Sequence, residues 1–177
     1  MPESREITIE SGVATFANIV LPMGLQIASL EVTGSGFTLE SSPFRISGTS
    51  PCAVRATVIE SDVASFLRVK APANITFQSV RLADGHIHIA AAMQVLITIM
   101  AHAVCRLVIV DKKQLVVELV SVEVLGMGGK SLVQKQLDAI NPLIDVADLP
   151  LPMELRAVET LDGQIVLTGG LRLSPSP

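Results

Sequence analysis

The stretch IHIAAAMQVLITIMAHAVCRLVIV, Ile87–Val110, decides what kind of fold this chain adopts. Its length would suit a membrane-spanning helix, which needs ~20 apolar residues. Its pattern does not. Every odd position is apolar: Ile87, Ile89, Ala91, Met93, Val95, Ile97, Ile99, Ala101, Ala103, Cys105, Leu107 and Ile109. The polar residues His88, Gln94, Thr98, His102 and Arg106 all fall on even positions. A period of two sends alternate side chains to opposite faces, which is strand geometry. One unbroken strand of this length would run ~80 Å, so a bend or bulge near Gln94 is expected.

Working outward, Asp84-Gly85 joins this segment to a preceding strand Ile75–Leu82, so the first part reads as His86–Met93 in a tight hairpin. After Val110, Asp111-Lys112-Lys113 turns the chain into a returning strand Leu115–Leu125. Short strands are predicted upstream at Glu6–Glu10, Ala14–Val20, Leu25–Thr33, Phe37–Glu40, Phe44–Ser47 and Cys52–Ile59. Gly34-Ser35-Gly36, Ser42-Pro43 and the segment from Gly48 to Pro51 punctuate them. Ser61 N-caps a predicted helix to about Lys70, with Val63, Phe66 and Leu67 on one face and Pro72 ending it. A second helix starts at Ser131 after the break Gly126, Gly128 and Gly129, and stops at Asn141-Pro142. Its inward residues are Val133, Leu137 and Ile140. The last strands, Met153–Thr160 and Gln164–Leu173, meet at Asp162-Gly163. The order helix, Pro, strand, Asp-Gly, strand thus occurs twice. Val80…Asp84-Gly85-His86-Ile87 aligns without gaps to Val158…Asp162-Gly163-Gln164-Ile165, a hint of pseudo-symmetry.

The 177 residues suit a single domain, 1–177, with a sizeable core. Hydrophobic residues make up 49%, charged residues 17% and aromatic residues 3%, so the apolar mass is aliphatic and favours strands. The net charge of −4, with no basic run longer than Lys112-Lys113, excludes nucleic acid as a partner. Two cysteines, Cys52 and Cys105, are too few for a disulfide framework or a Cys-based zinc site, though one disulfide is open to them. Met1–Glu10 carries charges and no apolar segment, so it does not read as a signal peptide, and no transmembrane helix is expected.

The apolar area of the strands exceeds what two short helices can cover. An eight-stranded sheet is ~38 Å wide, and helices of about ten residues are only ~15 Å long. Two such helices cannot cover one face. The even face of the central segment is also apolar, with Ala90, Ala92, Leu96, Met100, Val104, Val108 and Val110. Large exposed apolar patches are rare in soluble monomers, so the surplus is buried in a second sheet layer, a homo-oligomer or an apolar ligand. Aliphatic, Met-containing linings adapt to flexible acyl chains.

Three stretches carry a family resemblance. Gly36-Phe37-Thr38-Leu39, Ser61-Asp62-Val63-Ala64-Ser65-Phe66-Leu67 and Val80…Asp84-Gly85-His86-Ile87-His88-Ile89 look like the LmeA-type phospholipid-binding family. So does the tail Leu137…Ile140-Asn141-Pro142-Leu143-Ile144-Asp145…Leu149-Pro150-Leu151-Pro152, followed by Asp162-Gly163…Val166-Leu167-Thr168-Gly169. The resemblance covers most of the chain from about Leu30. It implies a tubular lipid-binding-like α+β fold, β-dominated, in which a long curved antiparallel sheet wraps two short helices. It also implies phospholipid binding in a bacterial envelope, and brings no catalytic residues with it.

The sharper chemistries are weaker. His86 and His88 lie two apart on one strand face and His102 shares their parity, so a His-based metal site is an alternative. No acidic or thiol ligand is positioned beside them by sequence, and a place at the solvent end of a strand accounts for them. Gly126-Met127-Gly128-Gly129-Lys130-Ser131 resembles a phosphate loop, but Val124 stands where the first glycine is required. A helix N-terminus carrying Lys130 can still meet a lipid phosphate. No nucleophile elbow exists, and Glu118 and Glu123 have opposite parity on one strand, so no acid/base pair is expected. The expectation is a non-enzymatic protein without cofactor that takes phospholipid or another long apolar ligand, with possible peripheral membrane contact. Its lining is drawn from Phe66, Leu67, Val95, Ile97, Ile99, Val133 and Leu137, with Lys130 at the headgroup. The rival is an assembly protein that buries the same face in a homo-oligomer.

Overall fold

The computed structural model describes residues 6–21, 23–41, 44–48, 51–94, 96–124, 129–149 and 153–171. Val95, Leu125, Gly126, Met127, Gly128, Pro150, Leu151, Pro152, Ser42-Pro43 and the end of the last predicted strand lie outside them. The fold is mostly antiparallel sheet with two short helices, and one sheet curls into a half-barrel.

The strands divide into two sheets. In the first, β1 (Glu6–Val20), β2 (Gln26–Ser41), β4 (Cys52–Ile59), β11 (Gln164–Leu171) and β10 (Met153–Leu161) lie side by side, and β3 (Phe44–Gly48) pairs with β2. In the second the order is β5 (Ile75–Ala83), β6 (His86–Gln94), β7 (Thr98–Val110), β8 (Gln114–Val124) and β9 (Ile144–Asp145). Helix α1 (Glu60–Lys70) follows β4, and α2 (Gly129–Ile140) follows β8. One core cluster draws on both sheets and both helices, including Val58, Phe66, Leu67, Ile87, Cys105, Val117, Leu137 and Ile165. Leu82 and Ile87 at its centre are 2% exposed; burying such side chains stabilises by ~1.5–3 kcal/mol each.

The deciding stretch does not bend at Gln94; it reverses. β6 ends at Gln94 and β7 begins at Thr98, with Gln94 paired to Thr98 and Ile87 to Cys105. Partner numbers in this register sum to an even total, so odd residues face odd residues across the hairpin. The apolar face read along the sequence therefore stays one face of the sheet. Gly34-Ser35-Gly36 also departs from expectation, because it lies within β2, where Gly34 pairs with Gly12 and Ser35 with Ser11. Pairing along a long hairpin satisfies this backbone, and Gly36 absorbs a φ of +62° that a β-carbon would resist.

Helix α1 begins one residue before the predicted cap. Ile59 is its N-cap residue and makes no side-chain capping bond. Glu60 makes the junction instead: its N–H donates to Gly163 O at 2.9 Å, and its Oε2 accepts from Leu82 N at 2.7 Å. Helix α2 likewise starts at Gly129, two residues before Ser131.

The internal repeat is closer than the sequence suggested. Hairpins β5–β6 and β10–β11 are offset by 78 residues in every pair: Ile75 faces Met93 as Met153 faces Leu171, and Ala83 faces His86 as Leu161 faces Gln164. Each carries a register shift at the same place, Phe77/Ser79 and Leu155/Ala157. The two Asp-Gly turns also dock on each other, with Asp84 N donating to Asp162 Oδ1 at 3.3 Å and Gly163 N to Leu82 O at 3.0 Å.

Candidate functional site

Both helices lie against the inner faces of the sheets, and two adjoining clefts run along that contact. The first lies between α1, α2 and both sheets, where Val63, Phe66, Leu67, Leu137 and Ile140 meet Val58, Ile87, Ile89, Val117, Ile165 and Leu167. The second continues from the C-terminal end of α1, at Leu67, Ala71 and Pro72, along α2 from Val133 to Ile140. Leu67, Ile89, Leu137 and Ile140 border both, so the two form one seam. Its lining is apolar apart from Gln136. In the second cleft the sheet contributes Ala91, Ala101 and Ala103, with Ala71 from the end of α1. Alanines on the odd face thus leave a trough where longer side chains would fill the space under α2.

The seam is narrow. Its clefts have cavity volumes of about 40 Å³ and about 60 Å³. A dry apolar cavity that takes up benzene measures ~150 Å³, so an acyl chain, which is larger, enters only if the helices part from the sheet. Such parting is feasible for short helices held mainly by side-chain packing, which carries no fixed direction.

The expected lining residues separate into groups. Phe66, Leu67, Val133 and Leu137 are 4–8% exposed and border the seam. Ile99 is half-buried, packed against the core beside the seam. Ile97 is 72% exposed on the β6–β7 turn, away from the lining, and Val95 lies outside the described residues. Lys130 is exposed in the first turn of α2. Ala91, Ala101 and Ala103 stand on the odd, apolar face of the sequence pattern, but an alanine marks a trough only once its neighbours across the sheet are known.

Asn141, quoted above as a helix stop, does more than end α2. Its side-chain amide accepts from Val117 N and donates to Val117 O, both at 2.9 Å. It thereby completes the backbone pairing of β8 and pins the C-terminal end of α2 to the sheet.

The polar groups do not assemble into a reactive centre. Among the described residues no group of three His, Cys, Asp or Glu side chains is placed to hold a metal ion. His86 Nδ1 lies 2.7 Å from Asp84 O, and His88 Nε2 lies 3.3 Å from Ala83 O. Glu118 and Glu123 do share a face, contrary to their parity, because the register of β8 shifts opposite Val104/Cys105. Glu118 pairs with Arg106 at 2.8 Å on the surface, and Glu123 lies across from His102, four residues further along β7 and so ~13 Å away. Cys52 and Cys105 are free and buried in separate clusters. Burial pushes the Cys105 thiol up to about 11, which keeps it protonated and inert at neutral pH. No helix among the described residues is long and apolar enough to cross a membrane.

These features define a class of β-dominated shell packed over an apolar seam between two short helices. Within that class the chain belongs to the LmeA-like phospholipid-binding family, whose model matches residues 14–170. Comparison with curated proteins and with solved structures gave no match.

Proposed function

We propose that this protein binds phospholipid without chemical turnover, taking the acyl chains into the seam between its helices and sheets. The observation that carries the reading is the continuous apolar lining over an alanine trough, in a chain of phospholipid-binding family. Phe66, Leu67, Val133 and Leu137 form the helix wall against which the chains lie. Ala91, Ala101 and Ala103 form the floor. Lys130, exposed in the first turn of α2, meets the headgroup phosphate at the positive end of that helix. Opening is a movement of α2 away from β7 and β8, hinged at its Asn141 end. The envelope location implied by the family resemblance belongs to the same reading, and fractionation of cells making the native protein tests it.

Native mass spectrometry before and after organic extraction tests binding. The expected result is a monomer carrying extractable mass in the phospholipid range. A ligand-free oligomer that neither carries nor takes up lipid would instead support the assembly role.

A further inference from the structure

The three most exposed large apolar side chains among the described residues are Leu96 at 99%, Val69 at 77% and Ile97 at 72%. Val69 is remote in sequence from the adjacent Leu96 and Ile97, yet all three lie at one end of the fold. Leu96 and Ile97 form the β6–β7 turn. Val69 stands in the last turn of α1, and the segment after that helix is tied to the base of the same turn: Gln94 N donates to Asn74 O at 2.8 Å, and Ile75 pairs with Met93. The second cleft reaches this end through Ala71, Pro72, Ile75 and Met93.

Charge is sorted along the same axis. The first turn of α1, at the docked Asp-Gly turns, carries Glu60 and Asp62, whereas its last turn carries Arg68 and Lys70. Lys70 Nζ sits 5.8 Å from the Phe66 ring centroid, which holds its charge beside the helix end. Lys130 starts α2 on the same side, since β8 reaches that end where Val124 pairs with Ala101. Of the two acidic residues on the adjoining strand β8, Glu123 lies nearer this end and Glu118 is paired with Arg106. The chain as a whole is acidic at −4, so basic residues gathered round bare aliphatic side chains are a local departure from its average.

We infer that the β6–β7 turn and the end of α1 form a docking tip for an anionic bilayer surface. Leu96, Ile97 and Val69 enter the interfacial layer, and Arg68, Lys70 and Lys130 meet lipid phosphates. Water-exposed aliphatic groups flanked by cations are what binding to such a surface requires. Docking here sets the mouth of the second cleft against the membrane, so the inference rests on the lipid-binding reading for its purpose.

The test is flotation of the full chain with vesicles of phosphatidylcholine and phosphatidylglycerol in equal parts, beside vesicles of phosphatidylcholine alone. Capture of a monomeric short-chain phosphatidylglycerol, below its micelle concentration, is measured in parallel. The expected result is flotation that weakens with salt and falls at least tenfold in L96D/I97D, with short-chain capture unchanged. Replacing Lys70→Gln lowers flotation on the anionic vesicles only. Wild-type protein that fails to float, or a folded L96D/I97D variant that floats equally well, overturns the docking tip. Tip-dependent flotation without short-chain capture by any form upholds docking and overturns the seam as the lipid site.

Discussion

Filling the trough is the perturbation that most sharply separates a lipid site from an ordinary core. Ala101 and Ala103 lie on β7, are 4% and 7% exposed, and face the second cleft. Ala101→Val and Ala103→Val each add two methyl groups to that space. Recovering the ~60 Å³ cavity at ~24 cal/mol per Å³ gives about 1.4 kcal/mol as the ceiling on stabilisation. Overpacking by a few atoms costs about 1–3 kcal/mol, and valine's strand preference offsets a fraction of that. The double variant should therefore stay folded, its lipid-free Tm within about 8 °C of wild type, since about 2–4 °C accompanies each kcal/mol at this chain length. Binding of a fluorescent long-chain phospholipid should fall at least tenfold, because the helices would have to part further to admit the chain. A folded double variant that binds the probe as tightly as wild type refutes the seam as the lipid site.

Other consequences follow from single residues. Asn141→Ala leaves the N–H and C=O of buried Val117 without their partner; urea titration should show a loss of about 2–4 kcal/mol, and an unchanged midpoint would contradict the pinning role. At Gly169 a β-carbon would collide with the carbonyl oxygen of Glu154 on β10, so Gly169→Ala should lower stability by about 1–3 kcal/mol despite the gain in chain stiffness. Cys105 titrates near 9 in the unfolded chain and about 11 when folded, so the unfolded state holds fewer protons between those values. Stability from this group is complete below pH 9 and declines by about 2–3 kcal/mol as pH rises to 11. A Cys105→Ala variant should lack that part of the alkaline decline, as pH-dependent melts can establish. Native alkylation of Cys105 at neutral pH should also be far slower than in urea.

The strands were legible because their signal is local. Alternation over Ile87–Val110, the Asp-Gly turns and the helices ending at Pro72 and Asn141 are each written in a few adjacent residues, and all appear close to where they were expected. What the sequence did not disclose depends on pairing. The reversal between Gln94 and Thr98 has no Gly or Pro to mark it, and its apolar tip reads as continued strand until its exposure is seen. The register shift opposite Val104/Cys105 turned two carboxylates of opposite parity onto one face, and no composition rule announces a bulge. Phe66, Leu67, Val133 and Leu137 were readable as inward because helical periodicity fixes their face. Ile97 was misplaced for the same reason that made the strand readable: a period of two continues through a turn without changing.

The claim on which the rest depends is that acyl chains lie between the helices and the alanine floor of β6 and β7. Photolabelling with a phospholipid carrying a diazirine in its acyl chain, followed by peptide mapping, addresses it directly. Label on the segments containing Leu67, Ala91, Ala101–Ala103 and Val133–Leu137, displaced by unlabelled phospholipid, is the result the account predicts. Saturable label confined to the outer strands β1 and β2, with these segments clean, would contradict it.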